Sequence, residues 1–490
     1  MAEETKYSTP VGLVYIFNLI VGTGALTMPL AFQAAGWLVS LIIVILLAFA
    51  SFVNVTFVTE SMAAANAVLA QDEAASATVD DEQTIQKHHR NENIIEHKDE
   101  VDEKAPLLPQ QPGCVSTFEI KKQVEMGQMA KLFFNPVGEK LFYLCIAIYL
   151  YGDLSIYAAA VPKSLRDTVC TWRPNLSNLT FCNGTFADTD PCWRSISLSR
   201  MDVYRIFVAC FLLTVGPFAF FNIQKTKYLQ ITTTLARWLA FGIMIILAIN
   251  KLAHHKGQGR PVIADISGVP NLFGVCVYSF MCHHSLPSLI TPIRDKSSLY
   301  RVLAMDYLLI LGFYALLSFT GIFTFATIQD IYTLNFLPDD CGVNSVTDVA
   351  FFEYFLALFP VFTLSTNFPI ISITLRNNIT TLFSKEDSPR HWVLTRLVFP
   401  LVAILPPIAI AFGTNEVEFL VGITGSYAGV GIQYVIPTLL VYYARKNENI
   451  DHSRNRMKSP FLHGFWIILI ILWSVFCLGF VTVNHIVTRK

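Results

Sequence analysis

Long apolar stretches alternate with short polar ones along most of this chain. Runs such as Leu38–Val58 and Trp466–Val483 have the length of about 20 residues that a helix needs to cross roughly 30 Å of hydrocarbon. They are continuous rather than alternately apolar and polar, which favours helices over a β-barrel. The pattern therefore predicts an all-α membrane protein with eleven transmembrane helices. The predicted spans are Val11–Ala34, Trp37–Ala63, Leu141–Lys163, Val203–Phe221, Tyr228–Asn250, Asn271–Ile293, Leu299–Ala326, Phe351–Leu375, Val393–Phe412, Glu418–Tyr443 and Phe461–His485.

The composition agrees with this pattern and excludes several classes of protein. Hydrophobic residues make up 53% of the 490 residues and charged residues 14%, whereas soluble domains carry roughly 25% charged residues. A soluble enzyme, a nucleic-acid-binding protein and a secreted protein are excluded. The sequence has no HExxH motif, Walker loop or nucleophile elbow, and Cys282, His283 and His284 are successive, so they point in different directions on a helix. We therefore expect no enzyme activity, no metal site and no cofactor.

Glycosylation motifs and basic residues predict the orientation. Asn175, Asn178 and Asn183 each begin an Asn-x-Ser/Thr motif in one loop, which places that loop in the lumen or outside the cell. Basic residues, among them Arg445 and Lys446, cluster in connections on the opposite side, as they do in cytosolic loops. We therefore predict a cytosolic amino terminus and a lumenal or extracellular carboxy terminus.

The spans divide the chain into three regions. Residues 1–64 hold helices 1 and 2, residues 65–135 form a cytosolic insert, and residues 136–490 hold helices 3–11, with the glycosylated lumenal loop at 164–201. Within the insert, Gln71–Lys104 contains 11 acidic residues. Such a composition cannot bury enough apolar surface to offset the entropy of ordering. We therefore predict that the insert is largely disordered.

Two features lie at the end of the insert. Glu103, Leu107 and Leu108 resemble a dileucine sorting signal, which adaptor proteins of endosomes and lysosomes read as an address. We therefore expect a lysosomal or late endosomal membrane, with adaptor proteins as partners. The stretch Phe118–Phe134 is mildly amphipathic, and it is either a helix at the membrane interface or a cytosolic cap helix.

Four of the ten cysteines lie in predicted lumenal loops, where disulfides persist. They are Cys170, Cys182, Cys192 and Cys341. Four cysteines allow three pairings, and the sequence does not choose among them. We interpret the other six as small apolar residues of the membrane or cytosolic regions.

Two predicted spans are interrupted by residues that weaken a helix. Span one contains Gly22–Gly24 and Pro29, and span six contains His283, His284 and Pro287. Breaks inside a bilayer are tolerated only where the freed backbone faces protein or a water-filled cavity. Broken helices at corresponding positions in two halves indicate an inverted-repeat transporter with a midplane site. Its unwound ends would offer amides to a carboxylate and carbonyls to an amino group or a cation.

These residues also carry a family resemblance. Asn18–Pro29, Tyr278–His283 and Asn367–Asn378 resemble the amino acid/auxin permease branch of the amino acid–polyamine–organocation superfamily, which includes sodium-coupled and proton-coupled amino acid transporters. The resemblance covers nearly all of the chain except the insert and the lumenal loop. It implies a LeuT-like fold, in which a 5+5 inverted repeat with broken helices 1 and 6 is followed by one extra helix. A narrower resemblance, to the transmembrane protein 104 family, lies at Gly22–Pro29, Tyr151–Asp153, Gln224–Leu229 and Val421–Gly425.

The resemblance implies a substrate site at the two breaks. The backbone of span one would hold the substrate carboxylate, and the histidine of span six matches a Phe-x-Cys-His run of neutral amino acid transporters. The residues expected to contact substrate are Gly22, Thr23, Gly24, Ser279, Cys282 and His283.

Two alternatives are considered for the coupling ion, sodium and a proton. For sodium, Asn18 matches an asparagine near the cation of sodium-coupled members, and Ser365 and Thr366 match hydroxyls that complete that site. The alternative is a proton. Histidine titrates near pH 6.5, so His283 or the adjacent histidine would carry charge on only one side of a lysosomal membrane.

Asp153 in span three is a second candidate for proton coupling. An isolated carboxylate in hydrocarbon costs at least about 2.5 kcal/mol, so it must pair, face the interior or stay protonated. We predict that Arg237 of span five is its partner. The pair would then be either a structural ion pair or part of a proton relay.

These observations predict a secondary active transporter of small amino acids, driven by a sodium or proton gradient and alternating access around broken helices 1 and 6. Its partners would be the amino acid and the lipid bilayer, with no nucleic acid. The alternative is a non-transporting amino acid sensor of the same fold that signals through the cytosolic insert.

Overall fold

The computed structural model describes residues 7–92, 118–172, 186–220, 227–337, 346–347, 349–383, 393–448 and 450–488. In these ranges the chain is helical and has no β-strand. The α-helices are α1 Thr9–Ile20, α2 Gly24–Ala35, α3 Trp37–Glu92, α4 Met126–Phe133, α5 Pro136–Val169, α6 Arg200–Val215, α7 Lys227–Ala253, α8 Val269–Ser279, α9 Leu286–Ile290, α10 Leu299–Thr324, α11 Ala350–Phe383, α12 Phe399–Gly413, α13 Val417–Thr424, α14 Ile436–Lys446 and α15 Gly464–Thr488. Three π-helical segments are Leu394–Val398, Gly425–Gly429 and Gly431–Val435.

Membrane-crossing helices account for most of the described chain. Nine helices in the described ranges are long and apolar enough to cross a bilayer singly, and α1 with α2 forms a tenth, bent span. The predicted sixth span is divided into α8 and α9, of which α9 has only five residues. The multi-pass membrane fold is confirmed, and the count of eleven spans stays a prediction.

The two ends of the insert lie within the described residues, and the disorder of the insert as a whole stays a prediction. Helix α3 continues without interruption through Glu92, because the stretch after the bilayer is rich in alanine, the best helix former. At the other end, Asn66 Oδ1 accepts hydrogen bonds from the backbone of Lys121 and Lys122, at 3.1 and 2.8 Å. Helix α4 buries Met126 and Met129, so this stretch packs on protein. The sorting signal Glu103, Leu107 and Leu108 lies outside the described residues.

The predicted lumenal end is held by covalent and ionic contacts. Cys170 and Cys192 form a disulfide, while Cys182 and Cys341 lie outside the described residues, as do the glycosylation motifs at Asn175, Asn178 and Asn183. Lys163 Nζ lies 2.6 Å from Asp330 Oδ2. The same oxygen accepts a hydrogen bond from Val417 N at 2.6 Å, so one carboxylate pairs with α5 and caps the start of α13.

Helix α8 packs against α2, α13 and the π-helical segment Gly425–Gly429, and glycines bring its backbone close to the last two. A Cβ atom added to Gly274 would lie 2.0 Å from the Gly422 carbonyl oxygen, and one added to Gly425 would lie 1.9 Å from that of Gly274. Any side chain at either position would clash with the backbone of the neighbouring helix and force it to move. The motif Val421–Gly425 therefore contains glycines because two helices touch there.

Candidate functional site

The interruption predicted in span one is confirmed: α1 and α2 are bent by 57°. Unwinding frees carbonyl groups at the end of α1 that need new donors. Arg237 of α7 donates from Nη1 to the carbonyl oxygens of Asn18 and, at 3.0 Å, Val21. Tyr314 of α10 donates to the Ile20 carbonyl at 3.0 Å. Two side chains from two other helices therefore hold this break.

The side chain of Asn18 also faces α7. Its Nδ2 donates to Thr234 Oγ1 at 2.7 Å, and its Oδ1 lies 3.4 Å from Arg237 Nη1. The residue expected near a coupling cation therefore contacts a guanidinium.

Span six is interrupted where the histidines predicted it. Helix α8 ends at Ser279, whose carbonyl accepts from Tyr314 at 2.9 Å. Ser51 of α3 donates to the Phe280 carbonyl at 3.3 Å. His283 is fully buried, and its Nε2 lies 3.2 Å from the Ser51 carbonyl. Because a carbonyl only accepts, Nε2 carries the proton in this contact.

A chain of three polar side chains joins both breaks to span three. Tyr278 of α8 donates to Asp153 Oδ1, and its hydroxyl lies 2.9 Å from Thr23 Oγ1. Because Tyr278 has one proton and gives it to the carboxylate, Thr23 is the donor in the second contact. All three side chains are buried. The predicted pairing of Asp153 with Arg237 is wrong: a phenol from span six binds the carboxylate, while the guanidinium binds the end of α1.

The two glycines of span one have different surroundings. A Cβ atom added to Gly22 would meet nothing closer than the Ile20 carbonyl oxygen at 4.0 Å, whereas one added to Gly24 would lie 2.2 Å from Ser279 Oγ and 2.7 Å from Ser279 Cα. Gly22 therefore faces open space. Gly24 is the point at which the two broken spans touch.

The other residues expected to contact substrate are held by protein contacts. Ser279 Oγ donates to the Val275 carbonyl at 2.7 Å, and Cys282 Sγ lies 3.4 Å from the Tyr307 hydroxyl. Thr23 is the donor to Tyr278. Two of the six residues differ from the others. Gly22 has free space beside its backbone, and His283 Nδ1 has no hydrogen-bond partner among the described residues.

Ser365 and Thr366 lie in the middle of α11 and are half-buried. Thr366 Oγ1 donates to the Thr363 carbonyl of its own helix at 3.0 Å. This geometry leaves the oxygen lone pairs available, as a cation ligand requires.

A buried glutamine is a feature that the sequence analysis missed. Gln433 lies in the π-helical segment Gly431–Val435, which contacts the turn His283–Ser285. Within the described residues, neither polar atom of the Gln433 amide has a hydrogen-bond partner, and the same is true of Nδ1 in His283 and in His284. Buried polar groups are normally satisfied, and π segments in helices are frequent at functional sites. A glutamine in mid-span was the signal that the sequence offered.

The aromatic hydroxyls were missed as well. Tyr278 and Tyr314 bind the two breaks, and both stand in apolar stretches where a hydroxyl requires a partner. Which partner each reaches depends on three-dimensional packing. Among the described residues, no three His, Cys, Asp or Glu side chains are grouped as a metal site would be.

Comparison with known proteins agrees with these features. The family described as transmembrane amino acid transporter protein matches residues 119–483. The chain is similar to transmembrane protein 104 of Homo sapiens, with 52% identity over 489 residues, covering 99% of this chain and 97% of that protein. It is similar to the homologs of Drosophila melanogaster, at 45% identity with 98% and 97% covered, and of Dictyostelium discoideum, at 37% identity with 100% and 99% covered. The family match begins after span one, whereas these three matches include it.

Proposed function

This chain belongs to the transmembrane amino acid transporter family and, within it, to the transmembrane protein 104 family, and from that premise we propose that it is a secondary active transporter of small amino acids. Members of the wider family are transporters and not enzymes, which confirms the expectation of no enzyme activity. One observation carries the proposal further: the breaks of spans one and six meet at Gly24 and Ser279, beside open space at Gly22. Access would alternate around these two breaks.

In this proposal the substrate carboxylate binds at Gly22 and Thr23, just before α2. The amino end of a helix carries a partial positive charge and free N–H groups, which favour an anion. Half-helix ends of this kind receive carboxylates in transporters with discontinuous helices. The open space beside Gly22 supports this placement, and the close packing of Gly24 argues that it positions the two breaks without touching substrate.

The span-six break would contact the rest of the amino acid. The carbonyl oxygen and both N–H groups of the Gln433 amide, together with His283 Nδ1, offer donors and acceptors without partners in the described part of the chain. Their burial supports a polar substrate group or a proton as their ligand, because an unsatisfied buried polar group destabilises the fold. Ser279 and Cys282 would shape this side of the site.

The driving ion would be sodium or a proton. Asn18, Ser365 and Thr366 would serve sodium, and Asp153 and His283 would serve a proton. The contact of Asn18 with a guanidinium weighs against sodium, and the joining of Asp153 to both breaks supports the proton.

The arrangement of helices supports a LeuT-like 5+5 repeat. Helices α5 and α11 would be equivalent third helices of the two halves; both have 34 residues, and they pack against each other more extensively than any other described pair. The broken spans would be the equivalent first helices. Helix α15 would be the extra span.

We place the protein in a lysosomal or late endosomal membrane, with a cytosolic amino terminus. The sorting signal and glycosylation motifs of the sequence support this location and orientation. Adaptor proteins would bind at Leu107 and Leu108, and Asn175, Asn178 and Asn183 would be glycosylated.

Uptake of radiolabelled amino acids into proteoliposomes tests the transport function, with sodium and proton gradients imposed separately. The wild-type protein is expected to accumulate substrate under one gradient. Gly22→Val, which fills the open space, should lower uptake at least about tenfold, equivalent to ~1.4 kcal/mol of lost binding. Gly479→Val in α15 is the matched control, because no atom lies within 4 Å of an added Cβ there.

A second variant separates function from folding. Gln433→Met replaces an unpartnered buried amide by an apolar side chain of similar length, so stability should be unchanged or higher. Uptake should nevertheless fall. Unchanged uptake by Gln433→Met would remove this residue from the site.

A substrate sensor remains the second candidate, and one observation favours it. Helix α3 carries span two directly into the insert, through Glu92, so movement in the membrane would reach the cytosolic segment. Amino acid binding without accumulation under either gradient would favour the sensor over the transporter.

A further inference from the structure

The carbonyl groups at the end of α1 form a site that favours positive charge. The carboxyl end of a helix carries a partial negative charge, and unwound carbonyls of broken transmembrane helices coordinate cations in transporters. Here the groups concerned are the carbonyls of Asn18, Ile20 and Val21, with the Asn18 amide oxygen beside them.

Arg237 occupies this site. Its Nη1 donates to two of the three carbonyls and lies 3.4 Å from Asn18 Oδ1, while Tyr314 takes the third. A guanidinium is always charged and offers several N–H groups in a fixed geometry, so one side chain can contact several oxygens.

No acid neutralises Arg237 in the described chain. None of the ion pairs among those residues includes it, and Asp153 binds Tyr278 instead. A charge inside a membrane span is costly and requires polar surroundings. The surroundings that receive Arg237 are the broken end of α1 and the Asn18 side chain, so the guanidinium stands where a free cation would bind.

We propose that Arg237 is a resident cation that permanently fills the cation site at the break of span one, and that the protein therefore does not bind or use sodium. This inference rests on the proposed transport function for its physiological meaning. The asparagine and carbonyls that would otherwise hold a metal cation are structural partners of a side chain. Energy for accumulation must then come from an ion other than sodium.

Thermal unfolding of the purified protein tests the site without any transport. The wild-type protein should have the same Tm in sodium chloride and in choline chloride of equal concentration. Arg237→Ala should lose several degrees of Tm and gain two responses: stabilisation by sodium over choline, and stabilisation by millimolar methylguanidinium. Arg237→Lys, which keeps a cation, should be insensitive to sodium.

Arg376→Ala is the matched control. Arg376 also donates to a backbone carbonyl, that of Ala219, at 3.1 Å, but that carbonyl does not end a broken span. A sodium response in Arg376→Ala equal to that of Arg237→Ala would overturn the inference. So would a sodium-induced rise in the Tm of the wild-type protein, which can be measured even if Arg237→Ala does not fold.

Measurements of uptake provide an independent test of whether the protein uses sodium. Replacing sodium by choline should leave wild-type uptake unchanged, and a loss of uptake on this replacement overturns the inference. Absence of uptake of every amino acid under every gradient would instead contradict the transport function, while the Tm comparison would still decide whether Arg237 fills the site.

Discussion

The two broken spans solve the same problem with different chemistry. Each must satisfy carbonyl groups freed inside a predicted membrane span. The break of span one uses a charged guanidinium from Arg237 in addition to the Tyr314 hydroxyl, and leaves open space at Gly22. The break of span six uses the neutral hydroxyl groups of Ser51 and Tyr314. The difference shows that carbonyl groups freed inside a span can be satisfied either by a charged donor or by neutral hydroxyl groups.

The two breaks are also linked directly. The Tyr314 hydroxyl lies within hydrogen-bond distance of the carbonyls of Ile20 and Ser279, at 3.0 and 2.9 Å, so its single proton is shared between them. The Thr23–Tyr278–Asp153 chain forms a second link. A change at one break is therefore expected to reach the other, and substitutions can separate the two links.

The largest effect is expected at the contact between the breaks. Gly24→Ala would place a Cβ atom 2.7 Å from Ser279 Cα, so backbone must move. Overpacking typically costs about 1–3 kcal/mol, and we expect loss of folded protein in size-exclusion profiles and a lower Tm. Gly22→Ala should fold normally. Equal behaviour of the two variants would contradict the distinction between an open and a packed glycine.

Asp153→Asn comes next, and its effect is on coupling. Asparagine can still accept the Tyr278 hydrogen bond but cannot exchange a proton. Proton-driven accumulation should disappear, while exchange of labelled for unlabelled substrate continues. The control is Asp306→Asn, which changes a buried carboxylate of α10 that is not part of the Thr23–Tyr278–Asp153 hydrogen-bonded series. This variant should still accumulate substrate. Accumulation that survives Asp153→Asn would move proton coupling to His283.

Tyr314→Phe should have a moderate effect on stability. It leaves two buried carbonyls without this donor, which lowers the free energy of unfolding by about 1–3 kcal/mol. Tyr434→Phe is the matched control: Tyr434 is fully buried too, and no described residue binds its hydroxyl. Denaturation of both variants in the same detergent compares them. A larger loss for Tyr434→Phe would show that the shared hydroxyl does not hold the breaks.

The smallest effect is expected for Ser51→Ala. It removes one hydrogen bond to the Phe280 carbonyl and one contact with the Tyr307 hydroxyl, at 3.3 and 2.9 Å, at about 1 kcal/mol. Ser474→Ala in α15 removes only a bond to its own helix, to Ile470 at 2.8 Å. If the two variants lose equal stability, the Ser51 hydroxyl contributes little to the stability of the span-six break.

The sequence predicted the breaks because glycine, proline and histidine interrupt otherwise apolar stretches. It did not predict what holds them. Asp153 was expected to bind Arg237, since a charge usually implies an opposite charge, but the phenol of Tyr278 took that place. A hydroxyl group in an apolar helix gives no sign of its partner, because the partner depends on how neighbouring helices rotate.

The insert shows a different limit of reasoning from composition. Its acidic composition predicted disorder, yet the alanine-rich stretch after span two continues the helix through Glu92. Average composition describes whether a segment can build a core of its own. It does not describe a segment that extends a helix already formed, where each added residue needs only favourable helix propensity.

The length of α3 gives it the geometry of a lever. Beyond the acidic residues Asp72 and Glu73, the helix runs on to Glu92. At about 1.5 Å per residue, this outer arm is about 28 Å long. Tilting the helix by about 5° at Glu73 would swing the tip sideways by about 2.5 Å, so a small rearrangement among packed spans becomes a larger displacement at the far end of this arm.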